Sequence, residues 1–124
     1  SSDLMRHYVT LKEFKQDGFN IVIDYTPEDM DPWDQLSECF ENKEECHRAI
    51  ESGQYKWFML RVRAMVDGFN GELGSSYLGG MIYTKAEDCL EDQDLIDEEV
   101  HQAITEAKAR AEALKSKLAD LALN

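Results

Sequence analysis

Apolar and aromatic runs bounded by turn signals mark four strands in this chain, two of them alternating, and a three-and-four spacing marks its helices. Tyr8 to Phe14 and Phe19 to Tyr25 read as two strands. Gln16-Asp17-Gly18 between them carries the Asp-Gly signal of a hairpin turn. In the second strand Phe19, Ile21 and Ile23 point one way, and Asn20, Val22 and Asp24 the other. That mixed pattern predicts a half-buried strand.

Tyr55 to Val66 is the clearest strand. Phe58, Leu60, Val62, Ala64 and Val66 form the row expected to face the core. Tyr55, Trp57, Met59, Arg61, Arg63 and Met65 form the other row, either covered by a helix or open. Asp67-Gly68 through Gly71 make a turn, and Leu73 to Tyr83 returns as a fourth strand. Gly74, Gly79 and Gly80 inside it predict a bulge or a close approach by another backbone.

Two short helices are expected between the second and third strands. Asp31-Pro32 reads as an N-cap followed by proline at the first helical position. That helix would bury Trp33, Leu36 and Phe40. Asn42 caps the second, which runs to Ser52 and is ended by Gly53.

A long helix follows from Gln93 to about Leu123, capped by Asp92. Ile96, Val100, Ile104, Ala107, Ala111, Leu114, Leu118 and Leu121 recur along it at steps of three and four. Its 31 residues span roughly 46 Å, against a radius of gyration of about 14 Å for a compact chain of this length. The helix should therefore project past the domain. Leu114, Leu118 and Leu121 would then need a cover, most simply a second copy.

The expected fold is α+β: an antiparallel sheet of about four strands, two short helices, and the long C-terminal helix packed on one face. Phe58, Leu60, Val62, Ile82, Ile96, Val100 and Ile104 should be core. At 124 residues the chain is one domain, with strands and short helices over 1–92 and the long helix over 93–123.

Charge changes the picture most. The net charge is -13, which opposes binding to nucleic acid or to anionic membrane and favours a basic partner. Asp24 to Glu45 holds nine carboxylates and one base, Lys43; Glu87 to Glu99 holds eight and no base. Such density repels itself. The acids admit three readings: a metal site, an ordinary solvated face, or a binding surface. Asp92, Asp94, Asp97 and Glu98 lack the calcium-loop spacing. Carboxylates in a first helical turn sit well against the positive end of the helix, which accounts for Asp92, Asp94 and, at its limit, Asp97, but not for the whole density.

The remaining chemistry is thin. Cys39, Cys46 and Cys89 are odd in number without a CxxC pair, so a reducing cytosol is expected. Cys46 and His47 fall on different helix faces and read as no metal site. No cofactor loop is present: the Gly71 to Gly80 stretch lacks the Gly-Lys-Ser/Thr ending of a P-loop and the G-x-G-x-x-G fingerprint. No nucleophile-base set assembles around His7, His47 or His101. Arg61 and Arg63 are expected to bridge to acids of the long helix or to a partner. No apolar run approaches a membrane span, no signal-peptide pattern opens the chain, and Met5 is the expected native start, with Ser1 to Leu4 a cloning remnant.

Tyr55, Trp57-Phe58, Arg61-Val62-Arg63, Glu72-Leu73-Gly74, Tyr77-Leu78-Gly79-Gly80 and Tyr83, followed by an acidic segment and by Asp97, Ala103 and Ala107, together form a pattern. It resembles an uncharacterised family of small acidic tailed-phage and prophage proteins. The resemblance covers about half the chain and implies origin, not activity: an accessory protein made in the cytoplasm of an infected bacterium. Together with the charge, it leads to the expectation of a non-enzymatic inhibitor of a host factor, such as an anti-CRISPR or antirestriction protein that mimics nucleic acid. Asp29, Asp31, Asp34, Glu38, Glu91, Asp94 and Glu98 would be the partner-binding acids. The alternatives are a dimeric structural or assembly protein, in which the acids only keep the chain soluble, and a small metal-dependent enzyme.

Overall fold

The computed structural model describes residues 7–29 and 43–121. Its elements are β1 (Val9–Gln16), β2 (Phe19–Pro27), α1 (Lys43–Glu51), β3 (Lys56–Met65), β4 (Gly74–Tyr83), a 3-10 helix (Ala86–Glu91) and α2 (Gln93–Ala119). The strands form one antiparallel sheet in chain order, β1-β2-β3-β4. With α2 packed on one face, the fold is α+β. The first predicted short helix, with Trp33, Leu36, Cys39 and Phe40, lies outside the described residues.

The β1–β2 hairpin turns at Asp17 and Gly18, whose φ angles are 55° and 85°. Both are positive, as a tight two-residue hairpin turn requires. α1 is followed by Gly53 at φ 83°, which ends it as expected.

α2 covers the face that carries Ile21, Ile23, Phe58, Leu60, Val62 and Ala64. It contributes Ile96, Val100, Ala103, Ile104 and Ala107. Burying an aliphatic or aromatic side chain of this size stabilises by roughly 1.5–3 kcal/mol. Tyr25 meets Phe58 edge-on at 5.4 Å, closing one end of this layer. A Cβ on Gly74 would collide with the carbonyl oxygen of Ala103 and come within 2.5 Å of the Ala107 nitrogen. Strand and helix therefore touch backbone to backbone, the close approach the glycine predicted.

The glycine pair causes a correction. Phe58 pairs with Met81 but Leu60 pairs with Leu78, so one extra residue of β4 bulges around Gly79 and Gly80. Gly80 has φ 67°. A single inserted residue reverses the alternation beyond it. Met81 is therefore buried, while Ile82, expected in the core, lies on the opposite face, paired with Trp57.

α2 begins at the predicted cap: the Leu95 N–H donates to Asp92 Oδ1 at 3.4 Å. It ends at Ala119, not near Leu123, so Leu121 lies beyond the helix. Burial stops at Ala107, with Ala111 and Leu114 half-buried and every later described residue exposed. The helix thus projects past the sheet.

Candidate interaction surface

The face of the sheet away from α2 is built around one carboxylate. Asp24 and Arg61 are directly opposite across β2 and β3. Arg61 donates from Nε to Oδ1 at 2.8 Å and from Nη2 to Oδ2 at 2.6 Å. Arg63 Nη2 donates to Oδ2 at 3.1 Å. Asp24 is 1% exposed. The Tyr8 ring stacks on the Arg61 guanidinium at 3.4 Å. Burial by itself would lower the pKa of Arg61, but the hydrogen bonds and charge of Asp24 outweigh it and raise it. The expectation that these arginines bridge to the long helix is thus overturned: α2 lies on the other face, and the partner is the neighbouring strand. Among the described residues, Arg63 Nε is buried without a hydrogen-bond partner.

Two acids at the limits of the acidic runs are therefore structural. Asp24 opens the first run and holds this pair. Glu99 closes the second run and is buried on α2, where it accepts from Ser76 Oγ at 2.7 Å.

Most of the other described acids of the two runs gather at one end of the sheet. Pro27 pairs with Phe58 and Lys56 with Tyr83, so β2 leaves, β3 enters and β4 leaves at the same end. Glu28 and Asp29 follow β2 directly. Glu28 reaches across to the bulge and accepts from the Gly80 N–H at 3.1 Å. α1 returns there, its Ala49 carbonyl accepting from the Tyr55 N–H. The 3-10 helix and the first turn of α2 extend from β4. Over residues 28–29, 43–56 and 83–94 there are ten carboxylates and four bases, a net negative pole. Its field is felt inside. Burial raises the Cys89 thiol pKa to about 11, with Asp88, Asp92 and Glu87 adding to the rise against a backbone hydrogen bond that lowers it. Burial, then Asp92 and Cys89, push the Tyr83 phenol up as well.

No protein-family model matches the chain, and comparison with curated proteins and with solved structures likewise returned no match.

Of the partner-binding acids predicted, Asp29, Glu91, Asp94 and Glu98 are exposed. Asp29, Glu91 and Asp94 belong to the pole, and Glu98 sits one turn along α2, accepting from Gln102 Nε2 at 3.2 Å. Asp31, Asp34 and Glu38 lie outside the described residues. Of the dimerisation residues, Leu114 packs against the core edge, while Leu118 and Leu121 are 59% and 55% exposed. Cys46 is buried and His47 is 3.5 Å from Glu51 Oε1. Among the described residues no group of three His, Cys, Asp or Glu side chains is placed to hold a metal, and no helix is long and apolar enough to cross a membrane.

Proposed function

We propose that this is a phage-encoded, non-enzymatic protein that binds and inhibits a host factor in the bacterial cytoplasm through its acidic pole. The inhibited factor presents a basic cleft that normally holds nucleic acid, and the carboxylates compete for that cleft. The observation that supports the reading is the convergence of Asp29, Glu91 and Asp94 at one end of the sheet. Segments far apart in the chain supply these acids, and although the helix start accounts for Asp94, it does not account for Asp29 or Glu91. Competition of this kind is electrostatic and falls steeply with salt.

The test is an affinity capture from bacterial lysate at low and high salt, beside a variant carrying Asp29→Asn, Glu91→Gln, Asp94→Asn and Glu98→Gln. The expected capture is a nucleic-acid-binding protein that is retained at low salt, released by high salt or by competing DNA, and lost with the variant. Equal capture of the same protein by both forms at both salts would sink the reading.

A further inference from the structure

The apolar positions of α2 keep one spacing past the point where its cover ends. Ile104, Ala107, Ala111, Leu114, Leu118 and Leu121 follow one another at steps of three and four in strict alternation. That is the a and d pattern of a coiled-coil seam. Ile104 and Ala107 are buried on the sheet. Ala111 and Leu114 are half-buried, and Leu118 and Leu121 are exposed. Leu121 lies just past the helix, but its N–H still donates to the Leu118 carbonyl, which keeps the turn. The seam therefore runs on for about one and a half heptads after the sheet stops covering it.

The positions flanking this part of the seam are all basic. In the same register the e positions are Lys108 and Lys115, and the g positions are Arg110 and Lys117. All four are exposed. Residues 107–118 hold these four bases and one acid, Glu112, in a chain whose net charge is -13. Glu112 takes an outer position, as do Glu106 and Asp120. Among the described residues Lys108 pairs with Asp17, whereas Arg110, Lys115 and Lys117 join no ion pair. The negative end of the helix accounts for Lys117 in the last turn. It does not account for Lys108 or Arg110, which stand well before that turn.

We infer that the projecting end of α2 docks an amphipathic helix of another protein, one whose apolar stripe is flanked by glutamate or aspartate. Charges at e and g choose the partner of a seam. A second copy is the wrong partner. Parallel pairing would set g against e and antiparallel pairing would set e against e and g against g, and every such contact here joins two bases. A helix with acids at these positions turns each contact into an attraction. An anionic lipid surface fits less well. Binding there scales with buried apolar area, and the free stripe offers two exposed leucines and no aromatic residue. The acidic pole does not repel such a partner. Asp94 and Leu118 are separated by roughly 36 Å along the helix, several times the screening length of about 8 Å at physiological salt. The inference is independent of the pole and of the function proposed for it.

The test uses two synthetic helical peptides of about three heptads, both with isoleucine at a and leucine at d. One carries glutamate at e and g, the other lysine. Calorimetric titration into the full chain should show binding of the glutamate peptide, weakening as salt rises, and none of the lysine peptide. Leu118→Asp should abolish that binding. The triple variant Arg110→Glu, Lys115→Glu, Lys117→Glu should weaken it about tenfold or more and gain binding of the lysine peptide. All these changes are at exposed positions, and circular dichroism verifies that the variants fold. Failure of the glutamate peptide to bind up to millimolar concentration overturns the inference. So does equal binding of the two peptides, or binding that Leu118→Asp leaves unchanged. Binding to phosphatidylserine vesicles but not to the glutamate peptide would assign the seam to a membrane. Sedimentation of the unaltered chain as a dimer that Leu118→Asp dissociates would assign it to a second copy. Either result also overturns the inference.

Discussion

Asp24 and Arg61 form a two-point ion pair across neighbouring strands, with both carboxylate oxygens engaged and the acid buried. Arg63 shares the same carboxylate. Removing the acid leaves two guanidinium groups facing each other with little water. Breaking one partner of a buried pair costs about 3–5 kcal/mol, and Asp24→Ala is expected to fall in that range in urea unfolding. Asp94→Asn, on the exposed surface, should change stability by no more than about 0.5 kcal/mol. Equal effects from the two substitutions would contradict the division of the acids into structural and surface groups.

Gly74→Ala is expected to be among the most damaging conservative changes in the chain. The added methyl would meet the main chain of Ala103 and Ala107, which cannot turn aside as a side chain can. α2 must lift from β4, and overpacking of this kind costs about 3 kcal/mol or more. Gly68→Ala is the comparison. Gly68 has φ 83° but open space around it, so its cost is conformational only, about 1 kcal/mol. Thermal unfolding of the two variants should rank them in that order.

Stability should fall at high pH partly through Cys89. Its thiol ionises at 9.0 when unperturbed and at about 11 in the fold. The folded chain therefore holds a proton that the unfolded chain releases between these values. The contribution is complete below pH 9 and disappears as pH rises through about 11. Two pKa units correspond to about 2–3 kcal/mol. Urea unfolding below pH 9 and near pH 11 should show a larger loss for the unaltered chain than for Cys89→Ala. Identical losses would show that the thiol carries none of it.

Much of the fold was legible in the sequence because its signals are local. The alternation in β3, the Asp-Gly turn and the three-and-four spacing in α2 each act within a few residues. What the sequence hid depends on register. Ile82 has the composition of a core residue, and only the extra residue at Gly79–Gly80 turns it away and puts Met81 in its place. Asp24 and Glu99 are indistinguishable by composition from the acids around them. Arg61 directly opposite Asp24, and Ser76 beneath Glu99, make them structural, and neither neighbour is near in the chain. A hint was present: Asp24 shares its strand face with Val22, and the Arg-x-Arg spacing of Arg61 and Arg63 puts both cations on one face of β3. The acidic pole was hidden for the same reason, since its parts meet only through the pairing of Pro27 with Phe58 and of Lys56 with Tyr83.

The chain-order sheet has a kinetic consequence. β1 and β2 are joined by two residues and β3 and β4 by eight, so each hairpin closes a short loop. The β2–β3 seam closes a much longer one, and the entropy of closure grows with loop length. The two hairpins are therefore the early events and the seam, with Asp24 and Arg61 at its middle, is the late one. Pulse-labelled hydrogen exchange should find β1–β2 and β3–β4 amides protected before those of the seam. The ion pair then acts as a latch on a nearly finished molecule: mutating it should chiefly speed unfolding, leaving the folding rate almost unchanged.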